Sequence, residues 1–478
     1  MMNEKRNLLA YDVGNSAVRT ILCHFDGTSV TSEEVLVEPN GSFEEGGYIF
    51  WDMEEIFASM KRGLKKAAEV CGKIDSIGIC TWGVDFCLLD ENGRFLAKAL
   101  CYRNSIGEEE IRKISDAEQA AMFERTGILT DKINSVYMLK GMSRHFPDVF
   151  RAAKKLLMVP DVFVYLFTGV LMNEPSELST TQMLDVRSMK ISKEMCDYAG
   201  VSPDLFSQIG VHGKAVGNLL PEILAEAGIG YDIPLICVPS HDTASAVMGI
   251  PSPKENYLFV SSGTWALIGA DTASPVVTEQ TRRSNLTNEA GAFGRTTLLR
   301  NSAGMFILQR LRAEYKKETG EEISWNDFTE IAGQWTGEPV LYDVNDIRFF
   351  NPESMKKELR EVIRPEDPAG VSWPELLAST YASLGESYAE TLKLVRDITG
   401  EEYEEVYVVG GGSRNARINQ RCADSLGLPV AACDMECSSV GNAAVQIAYF
   451  HPSCTLGDLR QIVSRSLKVK RYYPNAQP

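Results

Sequence analysis

Residues 8–25 read LLAYDVGNSAVRTILCHF: an apolar run, a turn of small residues from Asp12 to Ala17, and a second apolar run. That pattern predicts two strands joined by a tight turn. A related stretch, YLFVSSGTWALIG, occupies residues 257–269, with Ser261-Ser262-Gly263-Thr264 as its turn. The two hairpins stand about half a chain apart and suggest two related lobes. Helical and strand segments in mixed order follow each hairpin, which predicts α/β architecture. A chain of 478 residues is too long for one compact core and suits two domains. The boundary is expected near residue 247, giving 1–246 and 247–478.

Composition narrows the function classes. Hydrophobic residues make up 44% and charged residues 24%, as in a soluble globular protein. A formal charge of −17 opposes any polyanion and argues against nucleic acid as a partner. A small anion such as ATP is still allowed, because it needs only a local cradle of backbone N–H groups and perhaps one metal ion. The opening apolar run stops at Asp12, too short for an export leader, and no run is long enough for a bilayer. A cytoplasmic protein with no membrane partner is expected. The eleven cysteines are scattered through apolar segments and read as reduced, packed thiols. Cys422, Cys433 and Cys437 lack the further ligands that a zinc site needs.

Further along, Ser372 and Glu375 form a capping box for a long helix that reaches Leu394 and ends at Gly400. Val406–Val409 is a strand entering Gly410-Gly411-Gly412, with Ser413 placed to cap a helix that ends at Gly427.

Several short stretches have the right groups for chemistry, and each also has an ordinary structural meaning. The Asp12–Ala17 turn directs N–H groups and the Ser16 hydroxyl toward one point, where a phosphate fits; Asp12 is placed to hold Mg²⁺ through water. It reads equally as a plain hairpin turn. Thr264 and Gly263 offer the same pair of readings, and Gly410–Gly412 suits either the approach of a nucleotide or a tight turn. Val238-Pro239-Ser240-His241-Asp242-Thr243 ends an apolar strand and puts a carboxylate where it can take a proton from a substrate hydroxyl. The other reading of Asp242 is a helix N-cap. Thr81-Trp82-Gly83-Val84-Asp85-Phe86 supplies an aromatic face and a carboxylate for sugar hydroxyls, or a core tryptophan beside a turn.

Taken in order, these stretches resemble the FGGY family of carbohydrate kinases along nearly the whole chain. The resemblance rests on TWGVDF (81–86), VPDVFVYLFTG (159–169), STTQMLD (179–185), PSHDTASAV (239–247), SSGTW (261–265), NEAGAFGR (288–295), IRFFNP (347–352) and VGGGSRN (409–415). Within the family it is closest to the branch acting on L-rhamnulose. It implies two ribonuclease-H-like lobes of the actin-like ATPase class around a central cleft, a small ketose and ATP as partners, Mg²⁺, and a monomer or homodimer. It also implies that Asp242 is the general base, with His241, Thr243, Gly83 and Asn301 at the sugar. Asn15, Ser16, Ala17, Val18, Arg19, Thr264, Gln309 and Gly411 are implied for ATP. Two departures stand out: Ala17-Val18 replaces the usual Ser-Gly, and Asn104 and Ile106 replace an acid and a base. The second departure leaves L-fuculose, xylulose or ribulose as alternative substrates. A sensor that has lost turnover is the reading from another class, but the presence of both Asp12 and Asp242 argues against it.

Overall fold

The opening hairpin forms where the sequence predicts it. Strand β1 (Arg6–Val13) pairs antiparallel with β2 (Ala17–Phe25), and the Gly14 N–H closes the turn on the Ala17 carbonyl at 2.9 Å. This computed structural model describes residues 4–433 and 437–475; residues 1–3, 434–436 and 476–478 lie outside the described residues. Strand β3 (Val30–Pro39) adds antiparallel to β2, and β4 (Ser76–Thr81) runs parallel on the other flank of β1 with every residue buried. Between them lies α1 (Met53–Cys71), whose N-terminus is capped by the Asp52 side chain accepting from the Glu55 N–H at 3.0 Å. Ile56, Met60, Leu64 and Ala67 recur at helical spacing and are buried in the core with Leu9, Ile77 and Ile79. Two short helices, α2 (Pro175–Thr180) and α3 (Asp242–Met248), complete the surroundings of the site. With β5 (Ala215–Asn218) and β6 (Pro234–Ile236) the strand order is β5-β6-β4-β1-β2-β3, so β6, β4 and β1 are parallel neighbours.

The chain divides into two compact units, and neither is continuous in sequence. One comprises Met1–Glu255, Asp271–Leu298 and Glu436–Ser466; the other comprises Asn256–Ala270, Leu299–Met435 and Leu467–Pro478. The cause of the late return is visible in hydrogen bonds. Helix Cys437–Phe450 crosses the first sheet, where Gln446 Nε2 donates to the Leu9 carbonyl at 3.1 Å and Ser76 Oγ donates to Gln446 Oε1 at 2.7 Å.

The second unit repeats the plan. Strands β7 (Tyr257–Ser262) and β8 (Trp265–Thr272) make the second hairpin, with the Gly263 N–H on the Trp265 carbonyl at 2.9 Å. Beyond β8 lies β9 (Thr296–Ala303). On the other flank of β7 come parallel β10 (Val406–Val409) and β11 (Val430–Cys433), then antiparallel β12 (Val469–Tyr472). Within a seven-stranded sheet these six follow the order β9-β8-β7-β10-β11-β12. Its helices include α4 (Phe306–Thr319), α5 (Trp373–Thr399) and α6 (Ala416–Leu426). Ser372 caps α5 and Gly400 ends it at φ 65°, but only half of the expected capping box forms, because Glu375 pairs with Arg364 at 2.7 Å. Helix α6 is capped by Asn415, not Ser413, which is taken up in the preceding turn. No described helix is long and apolar enough to cross a membrane.

Helix α3 is fixed at its far end by a buried charge cluster. Arg460 donates to the carbonyls of Val247 and Met248 at 3.2 Å and also to Asp271, which accepts from Arg295 Nε at 3.0 Å. A cation at a helix C-terminus satisfies the last carbonyls and opposes the helix dipole. Arg460→Met is expected to cost about 3 kcal/mol or more in denaturant unfolding, because it leaves Asp271 half-paired and the carbonyls unmet. A loss below about 0.5 kcal/mol, typical of an ordinary surface change, would contradict this role.

Candidate active site

Three parallel strands finish at one edge of the first sheet, and the groups able to do chemistry leave from those ends. Asp12 is next to last in β1, Thr81 closes β4 and leads into Trp82–Asp85, and Ser240-His241-Asp242 follow β6. The Thr81 N–H donates to the Ser240 carbonyl at 2.7 Å, which holds the second and third groups side by side. Crevices at the carboxyl ends of parallel strands are where open α/β sheets place ligands.

Asp242 is the first residue of α3, and its side chain is 38% exposed. The N-cap is His241, so the N-cap reading of Asp242 does not hold and capping does not occupy its carboxylate. Thr243 Oγ1 donates to Asp242 Oδ1 at 3.2 Å. The His241 ring is largely buried, with Nε2 3.6 Å from Asp242 Oδ1 and Nδ1 3.2 Å from Glu289 Oε2. Burial works against a charged imidazole, but Glu289 and then Asp242 outweigh it and raise His241 to about 9. Gly83 faces this ring. A Cβ there would meet Thr180 Cγ2 at 2.9 Å and His241 Nε2 at 3.2 Å, so only glycine leaves the ring its place. The next residue, Val84, adopts φ 73°, costly for a β-branched residue; Thr180 Oγ1 holds its N–H at 2.9 Å and the Ser135 hydroxyl donates to its carbonyl.

Asp12 Oδ2 accepts from Ser438 Oγ at 2.8 Å and from Arg19 Nη1 at 3.2 Å. Burial, then the charge of Asp242, pushes its pKa up in spite of both donors. A cation there would relieve both effects. Among the described residues no cluster of three or more His, Cys, Asp or Glu forms a ready metal cage. That donor set fits Mg²⁺, which takes one or two carboxylates and fills the rest of its shell with water and phosphate. In the adjoining turn Asn15 and Ser16 are exposed, while Val18 is buried and offers a ligand only its backbone. Arg19 is not free for phosphate in this state: it pairs with Asp12 and, at 3.1 Å, with Glu34.

Asp85 lies inside the fold. Its side chain is fully buried, and Oδ2 accepts from both Trp51 Nε1 at 2.6 Å and Trp82 Nε1 at 2.9 Å. It locks two indoles with centroids 4.2 Å apart, while Oδ1 is buried with no hydrogen-bond partner among the described residues. Trp82 is likewise buried. Asn104 and Ile106, the suspected specificity departures, have structural work instead. Asn104 accepts from the Ile49 N–H at 2.9 Å and donates to the Ile49 carbonyl at 2.8 Å, which an aspartate could not do, and Ile106 packs in a core cluster.

Beneath the edge lies a set of acids that sequence reading missed. Glu174 accepts from His212 Nε2 at 2.6 Å, while His212 Nδ1 accepts the Phe293 N–H at 2.9 Å. Burial alone would raise Glu174, but His212 and then Ser176 together more than offset it and the carboxyl is held low. Glu177 and Asp161 are also fully buried, and burial drives both well above the ordinary range. Trp51, Ser438 and Glu289 were missed as well. Each acts across a long sequence separation, and the one available signal was the NEAGAFGR stretch that contains Glu289.

In the second unit, Thr264 and Gly263 sit at the β7–β8 turn, and the Phe306 N–H at the start of α4 donates to the Thr264 carbonyl at 3.1 Å. Gln309 follows one turn later on α4 and is exposed, as is Asn301 on β9. Gly410, at φ 80° and ψ −173°, has a backbone conformation essentially reserved for glycine, and a Cβ there would strike the Ser262 carbonyl at 2.9 Å. This turn leaves Gly411 exposed with no atom near its missing Cβ.

Burial lifts Asp85 to about 7 even though two indoles donate to it. The folded chain therefore holds this proton more tightly than the unfolded chain, and stability falls as pH rises from about 4 to about 7. Asp85→Asn removes that slope. Its melting temperature relative to the unaltered chain is expected to climb between about pH 5 and about pH 8. A difference that stays constant across this range would contradict the assignment.

The FGGY N-terminal domain of carbohydrate kinases matches residues 7–249, and the FGGY C-terminal domain matches residues 258–449. A rhamnulokinase from Bacteroides thetaiotaomicron is 33% identical over 480 residues, spanning 98% of this chain and 96% of its own. Among solved structures, gluconate kinase from Lactobacillus acidophilus superposes with a TM-score of 0.81 at 14% identity, covering 99% of this chain and 94% of that one. Xylulose kinase from Rhodospirillum rubrum gives 0.80 at 17% identity, covering 98% and 95%. At these identities the two structures speak for the fold, a two-unit α/β arrangement of the sugar kinase and actin-like ATPase type. With both of its domains matched in order, the chain belongs to the FGGY family of carbohydrate kinases.

Proposed function

We propose that this carbohydrate kinase transfers the γ-phosphoryl group of ATP to the primary hydroxyl of L-rhamnulose, giving L-rhamnulose 1-phosphate and ADP in the cytoplasm. One observation carries the chemistry: Asp242 stands part-exposed at the start of α3, free of capping duty, with Thr243 and His241 against it. The choice of ketose is supported by the rhamnulokinase of Bacteroides thetaiotaomicron, which is similar along both chains.

In this reading Asp242 accepts the proton of the sugar hydroxyl as the oxygen attacks phosphorus in line. Thr243 and His241 set the carboxylate and the hydroxyl in register. Gly83 and Asn301 lie at the sugar, while Trp82 and Asp85 support the site from behind as the buried indole–carboxylate pair. ATP is read by Asn15, Ser16, Ala17, Val18 and Arg19, and by Thr264, Gln309 and Gly411. The residues numbered 1–246 serve chiefly the sugar and the first phosphate turn, and those from 247 to 478 chiefly the nucleotide. Asp12 would hold Mg²⁺ through water, and that ion when bound offsets charge on the phosphate oxygens.

The test is ADP release with and without L-rhamnulose, by the unaltered chain and by Asp242→Asn. Sugar-dependent release that falls about 10²–10⁴-fold in the variant is expected, with sugar binding retained. ADP release that ignores sugar, or a variant as fast as the parent, would overturn the reading.

A further inference from the structure

We propose that Glu289 is a positioning residue that fixes the orientation and the charge of His241, and through His241 the sugar hydroxyl presented to Asp242. The backbone around it is pinned on both sides. In the strand Thr287–Ala290 the Asn288 N–H donates to the Gly127 carbonyl at 2.9 Å, and Asn288 Oδ1 accepts the Val276 N–H at 2.7 Å. The Ala290 N–H donates to Ser179 Oγ at 3.0 Å. Alternation along a strand then sends the Glu289 side chain to the face opposite Asn288 and Ala290, toward His241. Glu289 Oε2 approaches His241 Nδ1 to 3.2 Å as an ion pair, both groups are mostly buried, and among the described residues neither atom has a hydrogen-bond partner, so the charge contact is what links them.

With Nδ1 turned to the Glu289 carboxylate, Nε2 is the ring nitrogen on the substrate side. It is the atom that faces both Asp242 and Gly83. The backbone of His241 is held separately by its N–H on Ser176 Oγ at 3.1 Å, so Glu289 is the contact that sets the ring.

The charges around the ring make Glu289 the deciding one. Asp242 faces it from α3 and Glu174 from the N-cap of α2, while Glu177, Asp85 and Asp161 lie deeper. Glu174 is already bound to His212, Glu177 and Asp161 are driven toward their neutral forms, and Asp85 is held by two indoles. Glu289 supplies the largest attraction that keeps the buried imidazole protonated, ahead of Asp242 and Glu174. Replacing its carboxylate by an amide returns His241 toward the ordinary histidine value of about 6.5 or lower, since burial then acts with less opposition.

The measurement is an NMR titration of the histidine ring signals in the full chain without ligands, with His241→Gln used to assign the His241 resonance. His241 should keep its proton to about pH 9 in the unaltered chain and release it below about pH 7 in Glu289→Gln, with Glu289→Asp in between. Identical titration in the parent and Glu289→Gln would overturn the proposal. The kinetic arm rests on the proposed sugar phosphorylation. The KM for L-rhamnulose in Glu289→Gln should rise about tenfold or more near pH 8.5 and return to within about threefold of the parent near pH 6. An equal loss at both pH values would mean a merely structural role and would also overturn it. If the parent shows no sugar-dependent turnover at all, the kinase reading fails and the ring titration alone decides the place of Glu289.

Discussion

A carboxylate taken out of water must be given a donor, a cation or a proton, and much of the first unit is organised by that requirement. Asp85 receives two indole N–H groups, Glu174 receives His212, and Asp12 receives Ser438 and Arg19. Among the described residues Glu177 has no hydrogen-bond donor on either oxygen, and burial drives it toward the neutral acid. These groups converge because the parallel strands β1, β4 and β6 end together, and the loops leaving their ends have little room to diverge. Asp242 differs from the rest in being partly open to solvent.

The same constraint separates what was legible in the sequence from what was not. Both hairpins were legible, because small-residue turns between apolar runs are local signals, and both formed at the expected residues. The Trp82–Asp85 and His241–Asp242 stretches were legible as places of chemistry for the same reason. Their internal geometry was not. Asp85 is filled by Trp51, which lies 34 positions away, and Asp12 by Ser438, which lies 426 away. Such partners are chosen by the fold, and no spacing rule predicts them. Capping showed the same limit at short range, since Ser413 and Asn415 are both good caps and only the backbone path selects Asn415. The return of helix Cys437–Phe450 to the first sheet was hidden for a related reason: its amide side chains satisfy strand groups that no local pattern marks as needing them.

The departures at Asn104 and Ile106 show how resemblance and structure complement one another. By resemblance they stood at suspected sugar contacts; in the fold they clip a hairpin and fill a core. Gly83 and His241, by contrast, are set against one another by close packing, which leaves little tolerance for a larger residue at 83.

The central claim is that this edge selects one ketose and phosphorylates its primary hydroxyl. The most direct measurement is product identification by phosphorus and carbon NMR after limiting ATP is given to an equimolar mixture of L-rhamnulose, L-fuculose, xylulose and ribulose. The account predicts L-rhamnulose 1-phosphate as the dominant product. A different dominant sugar phosphate, phosphate on another carbon, or ADP and free phosphate with no sugar ester would contradict it.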